Sequence, residues 1–578
     1  MKAPRSGCCP ALACLAGLLG SAAPAQAQTA DTAFVNGRIY TVDPGRPWVE
    51  AVAIEDSRFL AVGSDAEIEA MIDSGTTVVD LGGRMAMPGI HDMHMHPVSA
   101  AMTEIFECNF ADTLTLEGVA RKVEECTAER PPGTWVRGGA YGVQLLQADV
   151  RPHKSLLDAA APEHPVYLRS SGGHSGWANS RALELAGIDR ESADPEKGEI
   201  VRDPDTGEPT GLLFESANGL IRRVLPDYTP EQYRRAVQRI SSDFNRLGII
   251  AIKDAATSPE VAAAYSESDR ADELTLRVAT SLGWGEDAPA RGEIPRAVLE
   301  RDRYRSERVY PDFVKIFVDG SAGARKAAYL EPYQPHETHA DDYRGEFMTP
   351  PERLKDYLIQ LDRMGVTVKM HCGGDAAVRA ALDAIQAARE ANGDSGLLHE
   401  VAHANLVAPE DIPRFRELNA VAELSPVYYY PGRLVELLTI TLGPERVARI
   451  WPIKSFVDAG AHTVYGSDWP AVVPSASPWR SLEAITTRRD PEGRTPGYFN
   501  REQAIDLATA IGIFTLNGAY TMGLERLTGS IAVEKLADMI VLDQNLFEIP
   551  PEQIGDTKVL LTLLEGKVVH ESDQFSIP

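Results

Sequence analysis

The chain has 578 residues, of which 44% are hydrophobic and 24% charged, and a formal net charge of −27. This composition excludes a disordered, fibrous or collagen-like protein, and the length suffices for one large domain with additions or for several domains. So acidic a surface argues against nucleic acid and anionic membranes as partners.

Residues 1–27 read as a secretory signal. Lys2 and Arg5 precede an apolar run over 11–23, and Ala25-Gln26-Ala27 forms a small-residue cleavage site. The run is too short to span a bilayer. The expected localisation is therefore export, to the periplasm or beyond, with no membrane attachment after cleavage. Three of the six cysteines lie in this segment, which leaves Cys108, Cys126 and Cys372. In an oxidising compartment Cys108 and Cys126 are expected to pair.

From 28 to 85 the chain reads as short strands with polar turns, among them FVNGRIYTV, VEAVAIED, RFLAVG and TTVVDLGG. The same texture returns over 521–578, in GSIAVEKLADMIVLD and KVLLTLLEGKVV. Two such segments at opposite ends of a chain can pair into one small sheet domain, leaving 86–520 as the chemical domain.

That middle region opens on PGIHDMHMHP. On a strand, residues i and i+2 point the same way, so His94 and His96 can grip one metal ion. Residues from about 100 to 240 interrupt the rhythm, and PEKGEIVRDPDTGEPTG reads as a hairpin in an inserted subdomain. Beyond it, strand-like runs alternate with helical patterns: LGIIAIKDAA, DFVKIFVDG, VTVKMHCGG, LLHEVAHANLV, AVAELSPVYY and HTVYGSDWP. Each run ends in polar or ionisable residues, as in a TIM-type α/β barrel or a doubly wound sheet. After Gly373-Gly374, Asp375 reads as a helix N-cap, Val378, Leu382 and Ile385 as an apolar stripe, and Gly393 as a stop.

The strand ends supply further candidates. His371 follows VTVKM, His403 closes LLHEVAH, and Asp468 ends HTVYGSD. With His94 and His96 they form an N/O set suited to zinc or a similar divalent ion. Lys315 lies among apolar residues, where an ammonium is disfavoured and its pKa falls. A neutral lysine can react with carbon dioxide to give a carbamate, an anionic ligand able to bridge two metals. The other reading of Lys315 is an ion pair with Asp319 on the same strand.

Taken in order, PGIHDMHMHP, the lysine of VKIFVDG, the histidines of HCGGD and EVAHANLVAPEDIPRF, and GSDWP resemble the metal motifs of the amidohydrolase superfamily. The nearest branch is the amidohydrolase-3 group, which includes N-substituted formamide deformylases. HPVYLRSSGGHSGWANSRALELAGI, GEPTGLLFESA and GSIAVEKLADMIVLD are similar to that branch as well. The resemblance implies a distorted (β/α)8 barrel with a β-sandwich built from both termini. It implies one or two divalent ions, zinc first among them, held by His94, His96, His371, His403 and a carboxylated, bridging Lys315. Asp468 would be a ligand and proton carrier, and His174 of the HSGWANS block a substrate contact. Cys372 and Gly373 depart from the branch, as do Ser425-Pro426 with Tyr428, Tyr429 and Tyr430 after them, and these changes bear on specificity.

The function expected is hydrolysis of a C–N bond of a small-molecule amide, formamide or cyclic amide by hydroxide generated at the metal. Self-association into a homodimer is left open. Two alternatives stand beside it: a non-catalytic or regulatory exported protein, and a zinc metalloprotease using HEVAH from His399 to His403. On a strand, His399, Val401 and His403 would share a face and Glu400 would point away from the metal, which defeats the protease mechanism. Gly393-Asp394-Ser395-Gly396 reads as a turn rather than a serine-protease loop, having no partner histidine, and DGSAGAR as a strand-end loop.

Overall fold

The computed structural model describes residues 29–577 except 129, 147–151, 171–174, 197, 284–292, 338 and 472–474. The predicted signal and His174 thus lie outside the described residues. No described helix is long and apolar enough to cross a membrane.

The middle of the chain forms an eight-stranded parallel sheet in chain order: β1 (Ile90–Met95), β2 (Ile249–Thr257), β3 (Arg277–Gly283), β4 (Val309–Phe317), β5 (Thr367–Cys372), β6 (Glu400–His403), β7 (Val421–Leu424) and β8 (His462–Tyr465). β8 returns to β1 through Met95 opposite Trp469, with Asp468 N–H donating to His94 O at 2.7 Å and His96 N–H to Trp469 O at 2.8 Å. These contacts make the sheet a nearly closed TIM-type barrel. Its strands are buried on both faces because helices cover the outside, which is why they read as near-continuous apolar runs.

The helix Asp375–Asn392 illustrates the outer layer. Val378, Leu382 and Ile385 are buried on one stripe, and Gly393 at φ 80° ends the helix. The cap is Gly374, not Asp375. Asp375 is instead the first helical residue, and its carboxylate accepts from Leu330 N–H at 2.8 Å, which removes it from capping.

Between β1 and β2 sits a five-stranded sheet that contains the expected hairpin, Gly198–Arg202 against Pro209–Glu215. Cys108 and Cys126 are disulfide-bonded, pinning the helix Leu116–Thr127 beside this sheet. Cys372 is free and buried.

Two further sheets lie outside the barrel: one of four strands drawn wholly from residues 32–80, and one of six strands in which both ends of the chain meet. In the larger, Met85–Pro88 lies between Met539–Leu542 and Arg38–Tyr40. The run from Met85 to His96 is therefore two strands in different sheets. They part at Gly89, where a Cβ would fall 2.6 Å from the Ile250 side chain.

Candidate metal centre

The C-terminal ends of the barrel strands bring the predicted ligands together. His94, His96 and Asp468 present ligand atoms all within 4.8 Å of one another. Asp468 Oδ1 lies 3.5 Å from His96 Nε2 and 3.6 Å from His94 Nε2. The His403 ring centroid is 4.8 Å from that of His94 and 4.8 Å from that of His371. Four imidazoles and one carboxylate thus cluster at the barrel mouth, His371 joining through its contact with His403.

The second nitrogen of two of these rings is held by protein. His94 Nδ1–H donates to Glu423 Oε1 at 2.5 Å, and His371 Nδ1–H to Asp319 Oδ1 at 3.2 Å. Each bond fixes the tautomer and leaves the Nε2 lone pair free for a metal. Burial, ahead of the neighbouring charges, keeps the pKa values of His94 and His403 well below the usual imidazole value, so both stay neutral and able to ligate. Burial pushes the Asp468 carboxyl up, but its hydrogen bond to His96, with the electropositive surroundings of His96 and Lys315, outweighs that and holds it below its ordinary value.

Lys315 is buried, with Nζ 3.1 Å from His94 Nε2. Burial brings its pKa down to about 8. Among the described residues no carboxylate forms an ion pair with it, and Asp319 in particular does not. Asp319 accepts from His371 Nδ1 and from the backbone N–H groups of Ala328, Gly373 and Gly374, which ties the loop after β4 to the loop after β5. The ion-pair reading of Lys315 is corrected accordingly. This donor chemistry, neutral imidazoles beside an ionised carboxylate and a buried amine whose partner is an imidazole rather than a carboxylate, fits a divalent ion.

Below the cluster the barrel interior carries charges that sequence reasoning missed. Lys253 pairs with Glu400, Glu400 with Lys369 at 2.7 Å, and Lys369 with Glu423, all four fully buried. Lys369 Nζ also donates to Met93 O at 2.8 Å, one residue before His94. Two ammonium groups thus balance two carboxylates, and Glu423 joins that chain to His94.

HEVAH proves a strand, but its faces differ from the simple alternation. Glu400 points into the barrel, toward Lys253 and Lys369. His399 lies on the outside, where Nδ1 accepts from Val368 N–H at 3.1 Å and Nε2 bonds Asp362 at 3.0 Å. Both its nitrogens are occupied, so His399 is no ligand. His403 breaks the alternation with φ 69°, followed by Ala404 at φ 39°. This left-handed turn swings its ring into the mouth, and Trp451 holds it: the backbone N–H and Nε1–H of Trp451 donate to Asn405 O and Oδ1 at 2.8 and 2.9 Å. Ser395 does have a histidine near it, contrary to the sequence reading. Ser395 and His399 both bond Asp362 Oδ1, so the carboxylate stands between them and no serine–histidine contact exists.

A cavity of about 330 Å³ opens over the cluster, with His371, His403 and Asp468 on its floor and Tyr428 and Trp451 in its wall. Residues 320–323 of the DGSAGAR loop line another side.

Comparisons with known proteins agree with this architecture. Residues 77–570 match the model of the amidohydrolase family. The N-substituted formamide deformylase of Arthrobacter pascens is 26% identical over 94% of this chain and 99% of its own. Protein LONG AFTER FAR-RED 3 of Arabidopsis thaliana is 28% identical over 96% and 94%. Among solved structures, an uncharacterized metal-dependent hydrolase from Pyrococcus horikoshii superposes with a TM-score of 0.72, at 21% identity over 90% of this chain and 99% of that one. With a barrel of this kind, a metal-ligand set at its mouth and a family match over most of its length, the chain belongs to the amidohydrolase family.

Proposed function

We propose that this hydrolase cleaves the C–N bond of a small-molecule amide, formamide or cyclic amide at a divalent metal centre. The observation that carries the reading is the convergence of His94, His96, His371, His403 and Asp468 beneath one cavity. These residues and Lys315 would hold one or two ions, zinc first among them given the N/O donor set. When bound, such an ion lowers the pKa of water and polarises a carbonyl.

The protein's own residues supply the proton traffic. Asp468, held ionised beside His96 and His403, accepts the proton of the attacking water and returns it to the departing nitrogen, giving a carboxylic acid and an amine. Lys315 is the proposed carbamate: carbon dioxide adds to the neutral Nζ with loss of a proton, leaving an anionic oxygen among neutral imidazoles. Its burial and its lack of a carboxylate partner support this reading. His174 is proposed as a substrate contact on its sequence motif alone. Export is proposed from the composition of residues 1–27, with the Cys108–Cys126 disulfide as support. Nothing in the site favours a non-catalytic role, since every ligand position carries a donor.

The test is Asp468→Asn. Turnover of an amide substrate, compared at equal metal content by elemental analysis, is expected to fall about 10²–10⁴-fold, the usual contribution of a general acid–base group, the histidines being enough to keep the ion. An Asn variant that keeps its activity removes Asp468 from this role.

A further inference from the structure

The cavity over the cluster has two chemically different sides. Its floor is the polar set His371, His403 and Asp468, and the facing wall is Tyr428, Leu434, Leu438 and Trp451. Leu434 and Leu438 stand one turn apart on the helix Arg433–Leu442, so they present one apolar face. The aromatic part of the wall is rigid. Trp451 is bonded twice to Asn405, stacks on Tyr429 at 4.8 Å between centroids, and meets the Tyr428 ring at 5.6 Å. A preformed apolar wall of this kind gains affinity from burying apolar ligand surface, with little ordering left to do on binding.

Charge is what the wall lacks. Among the described lining residues there is no lysine or arginine, and the one carboxylate, Asp468, belongs to the metal cluster. Arg433 and Arg494 lie in the adjoining outer cavity, which also contains Asp490. A carboxylate seated against this wall would lose its water with no lysine or arginine among the described lining residues to pair with it, and Arg169, in the cavity on the His96 side, is already paired with Glu107.

We infer that the substrate is an uncharged amide carrying a ring-sized apolar arm seated on Tyr428, Leu434, Leu438 and Trp451, and that N-acylated amino acids are rejected. The inference rests on the amide-hydrolase reading of the same centre and adds the substrate class.

The test uses the metal-loaded full-length chain and two matched series, formyl and acetyl, of three amines: methylamine, 2-phenylethylamine and phenylalanine. The second and third differ by one carboxylate. In whichever series is turned over, kcat/KM for the phenylethyl amide is expected to exceed that of the methyl amide by about 100-fold, and that of the phenylalanine derivative by at least as much. Leu438→Ala should narrow the phenylethyl-to-methyl ratio about tenfold, chiefly through KM. Leu434→Ala serves as a second variant should the first lose metal or melt early. Methyl and phenylethyl amides turned over equally, or a phenylalanine derivative as good as the phenylethyl amide, would overturn the inference and leave the amide reading standing. No turnover in either series by protein that carries metal would overturn the amide reading and this inference with it.

Discussion

Glu423 lies close enough to His94 and His403 to group with them as ligands, and through its bond to Nδ1 it decides which nitrogen of His94 faces the mouth. Its Oε1 takes the Nδ1 proton at 2.5 Å, and its other oxygen meets Lys369. Carboxylates behind a ligating imidazole raise its basicity and fix its orientation, and removing one typically weakens metal binding about 10–100-fold. Glu423→Gln keeps the reach and loses the charge, whereas Glu423→Asp keeps the charge beside Lys369 and withdraws it from His94. Both are expected to weaken zinc affinity by that factor in a chelator competition; wild-type affinity in both would show that Glu423 serves the charge network alone. The signal for Glu423 was present in AVAELSP, a charged residue inside an apolar run, the same oddity that marks Lys315. Lys253, Lys369 and Glu400 carry it too. What no linear pattern conveys is the pairing, since partners such as Lys253 and Glu400 lie 147 residues apart.

At the scale of elements, the ligands were legible because a parallel barrel delivers every strand end to one mouth, so a strand ending in histidine or aspartate is a candidate before any geometry is known. Backbone exceptions were not legible. His403 enters through a left-handed turn, and period-two reasoning therefore misplaced its neighbours. The seam between β8 and β1 shows how tightly such ends are set. Asp92 Oδ1 accepts from His94 N–H at 3.2 Å and from Ser467 N–H at 3.0 Å, so one carboxylate spans both strands. Gly466 lies in this seam, and a Cβ there would stand 2.5 Å from His94 Cβ. Gly466→Ala therefore forces either His94 or the segment that carries Asp468 to shift, and is expected to disturb their spacing. Overpacking of this kind destabilises by about 1–3 kcal/mol. The variant is expected to melt earlier and to bind less than the wild-type complement of metal, as read by calorimetry and elemental analysis; full metal occupancy at an unchanged Tm would mean that the seam yields without moving His94.

Across the whole molecule, the C-terminal segment is fastened to the barrel by buried ionisable groups. Arg277 on β3, 1% exposed, donates to Asp538 at 2.7 Å and to Glu565 at 2.8 Å, and Arg308 adds a bond to Glu565 at 2.6 Å. Opposite charges meet in those contacts. Glu483 is different. It lies on the helix Pro478–Thr487, where its Oε2 accepts from Gly555 N–H at 2.8 Å, and no cation pairs with it among the described residues. Burial, opposed by that hydrogen bond and reinforced by Asp556, pushes its carboxyl up from 4.5 to about 7. A carboxyl whose pKa rises on folding holds its proton more tightly in the native chain than in the unfolded one. Its contribution is therefore most favourable below about pH 4.5 and is lost as pH rises to about 7, where the native group must ionise without a partner. Glu483→Gln preserves the neutral amide-like shape and cannot ionise. The Tm difference between this variant and the wild type is expected to grow in favour of glutamine from pH 4.5 to 7.5, reaching a few degrees, in line with a linkage term of at most a few kcal/mol. A difference that stays flat across that range would mean that Glu483 titrates normally and that the junction tolerates its charge. A difference that grows as expected would place a proton-dependent joint between the barrel and the C-terminal segment, separable from the metal cluster by assaying metal content at both ends of the range.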